Sequence, residues 1–134
     1  MEDKPLKERY AKAGPILAEL LRIQEVFIPS GKAVLVDQGR VNAKALGYIY
    51  GLADCALQIG KMDIGSKWGL GLLMSLIVEF DDANGDMLWE YLQKPLDEKA
   101  LMEGVSLGFD DYAVWAKSGG NGGPPLQWRK CFQS

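Results

Sequence analysis

A chain of 134 residues with 48% hydrophobic and 25% charged side chains has enough apolar material for one self-sufficient core, which excludes a disordered chain or a disulfide-stapled miniprotein. A net charge of -3 offers no basic footprint for the phosphates of DNA or RNA, so no nucleic-acid partner is expected. Two cysteines and no histidine exclude a zinc centre.

In chain order, Leu6, Tyr10, Ala13, Leu17 and Leu20 recur at four-three spacing and predict a helix over residues 4–27. Gly14-Pro15 interrupts it, giving either two short helices or one kinked one. Ala33 to Val36 is a short apolar run without an evident partner strand, and reads as an extended connector lying on the core. Val41, Ala45, Tyr48, Leu52, Cys55 and Ile59 predict a second helix, with Gly47 and Gly51 on an adjacent face.

Trp68 to Phe80, WGLGLLMSLIVEF, is polar only at Ser75 and Glu79. Leu and Met outnumber the β-branched residues, so this reads as an apolar central helix over residues 66–81, started by Asp63 or Ser66. It falls short of the ~20 residues that span a bilayer. Asn84-Gly85 marks a turn, a short helix follows to Gln93, and a last helix is predicted from about Leu96 to Lys117. GGNGGPP then reads as a flexible linker to an aromatic tail, so the expected organisation is a helical domain (1–118) and a tail (119–134).

The densest group of oxygen-bearing side chains is Glu79, Asp81, Asp82, Asn84, Asp86 and Glu90. Asp82, Asn84 and Asp86 copy the first ligand positions of an EF-hand loop, but Met87 stands at the obligatory glycine and Gln93 at the closing glutamate. A looser Mg²⁺ or Ca²⁺ site on Glu79, Asp82 and Asp86 is the metal expectation that survives. A magnesium-phosphate mechanism would need a second set of helical glutamates, which Glu19 and Glu25 do not supply. Asp110-Asp111 could join the cluster if their helix packed beside it, and no nucleophile stands beside an activating base, so no catalytic residue is assigned.

The glycine pairs Gly47/Gly51, Gly65/Gly69 and Gly104/Gly108 either permit close helix crossings within the bundle or flatten a surface used between chains. Trp128 and Phe132 on the tail, with Gly47 and Gly51, are the candidate partner-binding residues; Cys131 reads as an exposed thiol. Tyr48, Trp68 and Trp115 are the candidate lining of a pocket between helices. The expectation is therefore an all-α bundle of about five helices, cytoplasmic because its opening MEDKPLKERY is too polar for an export signal. Its expected role is a small interaction or regulatory accessory module, homodimeric or bound to a protein partner. A divalent-metal phosphohydrolase and a small-molecule-binding bundle are the alternatives.

Overall fold

The computed structural model describes residues 3–93, 98–121 and 123–132. Among them, five α-helices and a two-strand ladder run in the order α1 (Asp3–Glu25), β1 (Val36–Asp37), β2 (Arg40–Val41), α2 (Ala43–Ile59), α3 (Lys67–Phe80), α4 (Gly85–Gln93) and α5 (Lys99–Lys117). A 3-10 helix, Gln127–Phe132, follows. The fold is the all-α bundle that the periodicities predict, and no described helix is long and apolar enough to cross a membrane. The predicted closure at Pro95 and the start of α5 at Leu96 lie outside the described residues.

Pro15 sits inside a continuous α1. Its missing N–H forfeits one backbone bond, but the tertiary packing of Tyr10, Leu17 and Leu21 on either side holds the helix together. The phenol oxygen of Tyr10 accepts from the Asp63 backbone N–H at 2.9 Å and from Ser66 Oγ at 3.1 Å, pinning the start of α1 to the loop before α3. Ser66 in turn caps α3, its side chain accepting from the Gly69 N–H.

The connector expected at Ala33 to Val36 does lie on the core, with Leu35 fully buried, but it also finds a partner strand. Val36 pairs with Val41 and Asp37 with Arg40. Gln38 and Gly39, at φ 52° and 75°, provide the two left-handed positions of a two-residue hairpin turn. Only two residues on each side pair, too few to read as alternation.

The centre of the bundle is α2. Eleven of its seventeen residues are buried, against five of fourteen in α3, although α3 is the more apolar sequence. The reason is the α2/α5 crossing. A Cβ at Gly51 would lie 2.9 Å from the Phe109 amide nitrogen and overlap the Val105 carbonyl oxygen, and one at Gly108 would lie 2.9 Å from the Leu52 amide nitrogen. Gly47 and Gly104 face the partner helix's backbone in the same way. Gly47 meets Leu101 and Val105 while Gly51 meets Val105 and Phe109, so the two helices run parallel in near backbone contact. Gly104 and Gly108 are thus where α5 seats on α2.

Candidate functional site

Two arrangements stand out: a buried polar network that holds the last segment in place, and an open groove between α1 and α3.

The network starts at Gln24, a fully buried polar side chain on the apolar face of α1. Its amide nitrogen donates to the Tyr48 hydroxyl at 3.1 Å, and its carbonyl oxygen accepts from the Trp128 backbone N–H at 2.9 Å. The Tyr48 hydroxyl donates to Asp111 at 2.5 Å, and the same Asp111 oxygen accepts from the Gln127 backbone N–H at 2.9 Å. The Trp128 indole N–H donates to the Ala45 carbonyl at 3.1 Å, and Asn42, the N-cap of α2, donates to the Cys131 carbonyl at 2.9 Å. Side chains from α1, α2 and α5 thus satisfy the backbone of a segment too short to satisfy its own.

Trp128 and Cys131 are therefore core residues, where an exposed anchor and an exposed thiol were expected. The Trp128 ring stacks on Tyr48 at 6.1 Å and meets Phe80 and half-buried Phe132 edge-on at 5.4 and 5.3 Å. Burial of this aromatic area overrides the flexibility of the glycine-rich stretch before it. Gly47 and Gly51, the other expected partner contacts, are covered by α5.

Burial first, and the Asp111 carboxylate second, push the Tyr48 hydroxyl well above the ordinary tyrosine value. Burial pushes the Cys131 thiol from 9.0 up to about 12, and the Cys55 thiol upward as well. These groups resist ionisation in the fold but release protons at ordinary values when unfolded, so alkali favours the unfolded chain. Their stabilising contribution is complete below about pH 9 and is lost as the pH rises above it. The melting temperature should be insensitive to these groups at neutral pH and fall from about pH 9 upward, less steeply in Cys131→Ala. Melts at one-unit pH steps check this; a midpoint indifferent to alkali would refute it.

The carboxylates do not converge. Glu79 pairs with Arg22, which also pairs with Glu19 at 3.1 Å. Asp81 accepts from the Asn84 backbone N–H at 3.2 Å and from its side chain at 3.0 Å, stabilising the turn before α4. Asp82 and Asp86 are exposed, Asp111 is committed to Tyr48 and Gln127, and among the described residues no three potential ligands gather to hold a metal. Of the expected set of Glu79, Asp82 and Asp86, Glu79 is thus paired with Arg22 while Asp82 and Asp86 face solvent, and the three do not gather. Asp54, on α2, accepts from the Gln58 side chain at 3.0 Å.

Nor do the three aromatic pocket candidates meet. Tyr48 is in the core, and Trp115 lies at the end of α5 against Tyr112. Trp68 alone lines the α1/α3 groove, which encloses about 660 Å³. Lys7 lies over the Trp68 ring at one end and Arg22 meets Glu79 at the other, so α1 and α3 run parallel along its walls. Its floor is small or aliphatic: Ala11, Gly14 and Ala18 from α1, with Gly71, Leu72 and Leu76 from α3. A Cβ added at Gly71 would meet nothing within 4 Å, so the floor is open above it. The Trp68 indole Nε1 is buried and has no hydrogen-bond acceptor among the described residues. Periodicity identifies the outer limits of this groove but not its existence; the small residues Ala11, Gly14 and Ala18 at three-four spacing were the available signal.

In comparison with known proteins, the chain matches no family model, no curated protein and no solved structure.

Proposed function

We propose that the protein is a non-catalytic interaction module that receives a helix of a protein partner in the α1/α3 groove. The observation that carries this is the shape of the groove. Its α1 wall from Lys7 to Arg22 covers about 22 Å at 1.5 Å per residue, the length of a four-turn helix and longer than most metabolites. A small-residue floor between two parallel helices suits the close approach of a third. The scattered carboxylates argue against the metal-dependent reading.

Self-association belongs to the same proposal as a second route. Ile16, Ile23, Val26 and Phe27 are exposed on and just after α1, an apolar surface suited to a second copy. Two unpaired, buried cysteines are in keeping with the reducing cytoplasm that we propose as the compartment.

Gly71→Trp tests the groove because Gly71 is an exposed residue of its floor and an added Cβ there meets nothing within 4 Å. The variant should keep the wild-type melting temperature within ~2 °C, since exposed substitutions change stability by about ±0.5 kcal/mol. In quantitative affinity capture, proteins held through the groove should fall at least ~10-fold, the loss of about 1.4 kcal/mol of binding. An unchanged capture profile would remove the groove from the account.

A further inference from the structure

We infer that the site holding Gln127–Phe132 also receives that segment from a second copy, so that two chains exchange their last segments and assemble as a dimer. This goes beyond the groove reading and does not depend on it. The carrying observation is which part of the chain seats the segment. Trp128 bonds to Gln24 and Ala45, Gln127 to Asp111 and Cys131 to Asn42, partners that belong to α1, α2 and its cap, and α5. The Trp128 ring packs on Tyr48 and Phe80 of the same body. The tether supplies none of these contacts. Gly119, Gly120 and Asn121 are exposed, and their backbone N–H groups bond to Ala116, Trp115 and Ser118, within the turn that closes α5. A segment recognised through the helical body is recognised equally well when it arrives from another chain.

The tether is long enough for both arrangements. In the closed chain it has to return the ~10 Å of helix between Ser118 and Asp111, whose carboxylate accepts from the Gln127 N–H. Extended, the stretch from Ser118 to Pro125 covers about 24 Å, enough to cross to a neighbour. The return begins at Gly119 and Gly120, at φ 67° and 82°, two consecutive left-handed residues that the exchanged form does not need. Tethering holds a chain's own segment at roughly millimolar effective concentration, so the closed monomer prevails at micromolar protein. Exchange prevails at higher concentration, or when the reversal is made unfavourable. Mutual exchange fills both sites, and the assembly closes at two.

A dimer formed through the exposed Ile16, Ile23, Val26 and Phe27 is the competing assembly. It leaves Trp128 docked in its own chain, so it forms on mixing folded chains and is indifferent to the tether.

The test is the double variant Gly119→Val, Gly120→Val, whose β-branched side chains resist positive φ. Added Cβ atoms there come no closer than 3.9 Å to Asn121 and 3.7 Å to the Trp115 ring, so the reversal itself is what they strain. Followed by sedimentation velocity, the variant should form at ~50 µM a dimer that the wild type forms only near millimolar concentration, a shift of at least ~10-fold. Chains of two isotopic masses should yield mixed dimers only when unfolded and refolded together. A folded variant that stays monomeric, or a dimer that mixes without unfolding, overturns the inference. If the valine pair prevents folding, wild-type chain refolded from urea at ~1 mM decides. A dimer that decays after dilution at the chain's own unfolding rate supports exchange, and monomer alone overturns it.

Discussion

Trp128→Ala is expected to cost roughly 3–5 kcal/mol, the range for removing a large aromatic side chain from a packed core. Trp128 is fully buried, and its ring is flanked by Tyr48, Phe80 and Phe132. Its loss would leave a cavity lined by groups from α2, α3 and the 3-10 helix. Truncation after Ser118 should be at least as damaging. It removes the backbone donors that satisfy the Gln24 and Asp111 oxygens and opens Tyr48 to water. Small domains have only about 5–15 kcal/mol of stability in all, so the truncated chain should be largely unfolded or strongly destabilised. Urea unfolding followed by far-ultraviolet circular dichroism gives both values. A cost under about 1 kcal/mol for Trp128→Ala, below any of the aromatic-to-alanine range, would show that the segment is not docked in solution.

The second large effect is a change of sign between glycines. In a helix interior, glycine to alanine gains up to about 1 kcal/mol from propensity alone. Gly71→Ala should show that gain, because its Cβ enters open space. Gly51→Ala and Gly108→Ala should instead lose about 3 kcal/mol, the upper part of the range for overpacking, because the added methyl overlaps a carbonyl oxygen of the facing helix. Relief would require α2 and α5 to move apart along the whole crossing. Larger side chains at Gly51 should prevent folding. Thermal melts of the three alanine variants are enough, and a stabilised Gly51→Ala would mean that the two helices do not approach so closely.

The helices were legible because their buried faces repeat at four-three spacing, and the Ser66 cap stands where residue chemistry asks for one. The glycine pairs could be located but not assigned, since spacing alone does not say whether the facing helix belongs to the same chain. Apolar density misplaced the centre. The most apolar stretch is α3, but its Trp68 and Gly71 line the groove, whereas the less apolar α2 is enclosed by its close fit with α5.

The docked 3-10 helix was hidden for a different reason. Trp128 finds Gln24 across 104 residues, Ala45 across 83, and no local periodicity records such partners. Gln24 itself was the clue, a polar residue continuing the stripe of Tyr10, Leu17 and Leu21. A fully buried amide on an apolar face requires partners from elsewhere in the fold. The second half of the acidic pair, Asp111, is explained by the same network rather than by a carboxylate cluster.

The most direct test of the groove as a binding surface is site-specific photo-cross-linking in cells. A photoreactive side chain replaces Ser75, which lines the trench and is exposed, and in parallel Val114, which is 70% exposed and does not line the groove. The account predicts a discrete protein adduct from position 75, mapped by mass spectrometry to an amphipathic helix of the partner, lost with Gly71→Trp and absent from position 114. Adducts from position 114 with none from position 75 would contradict it.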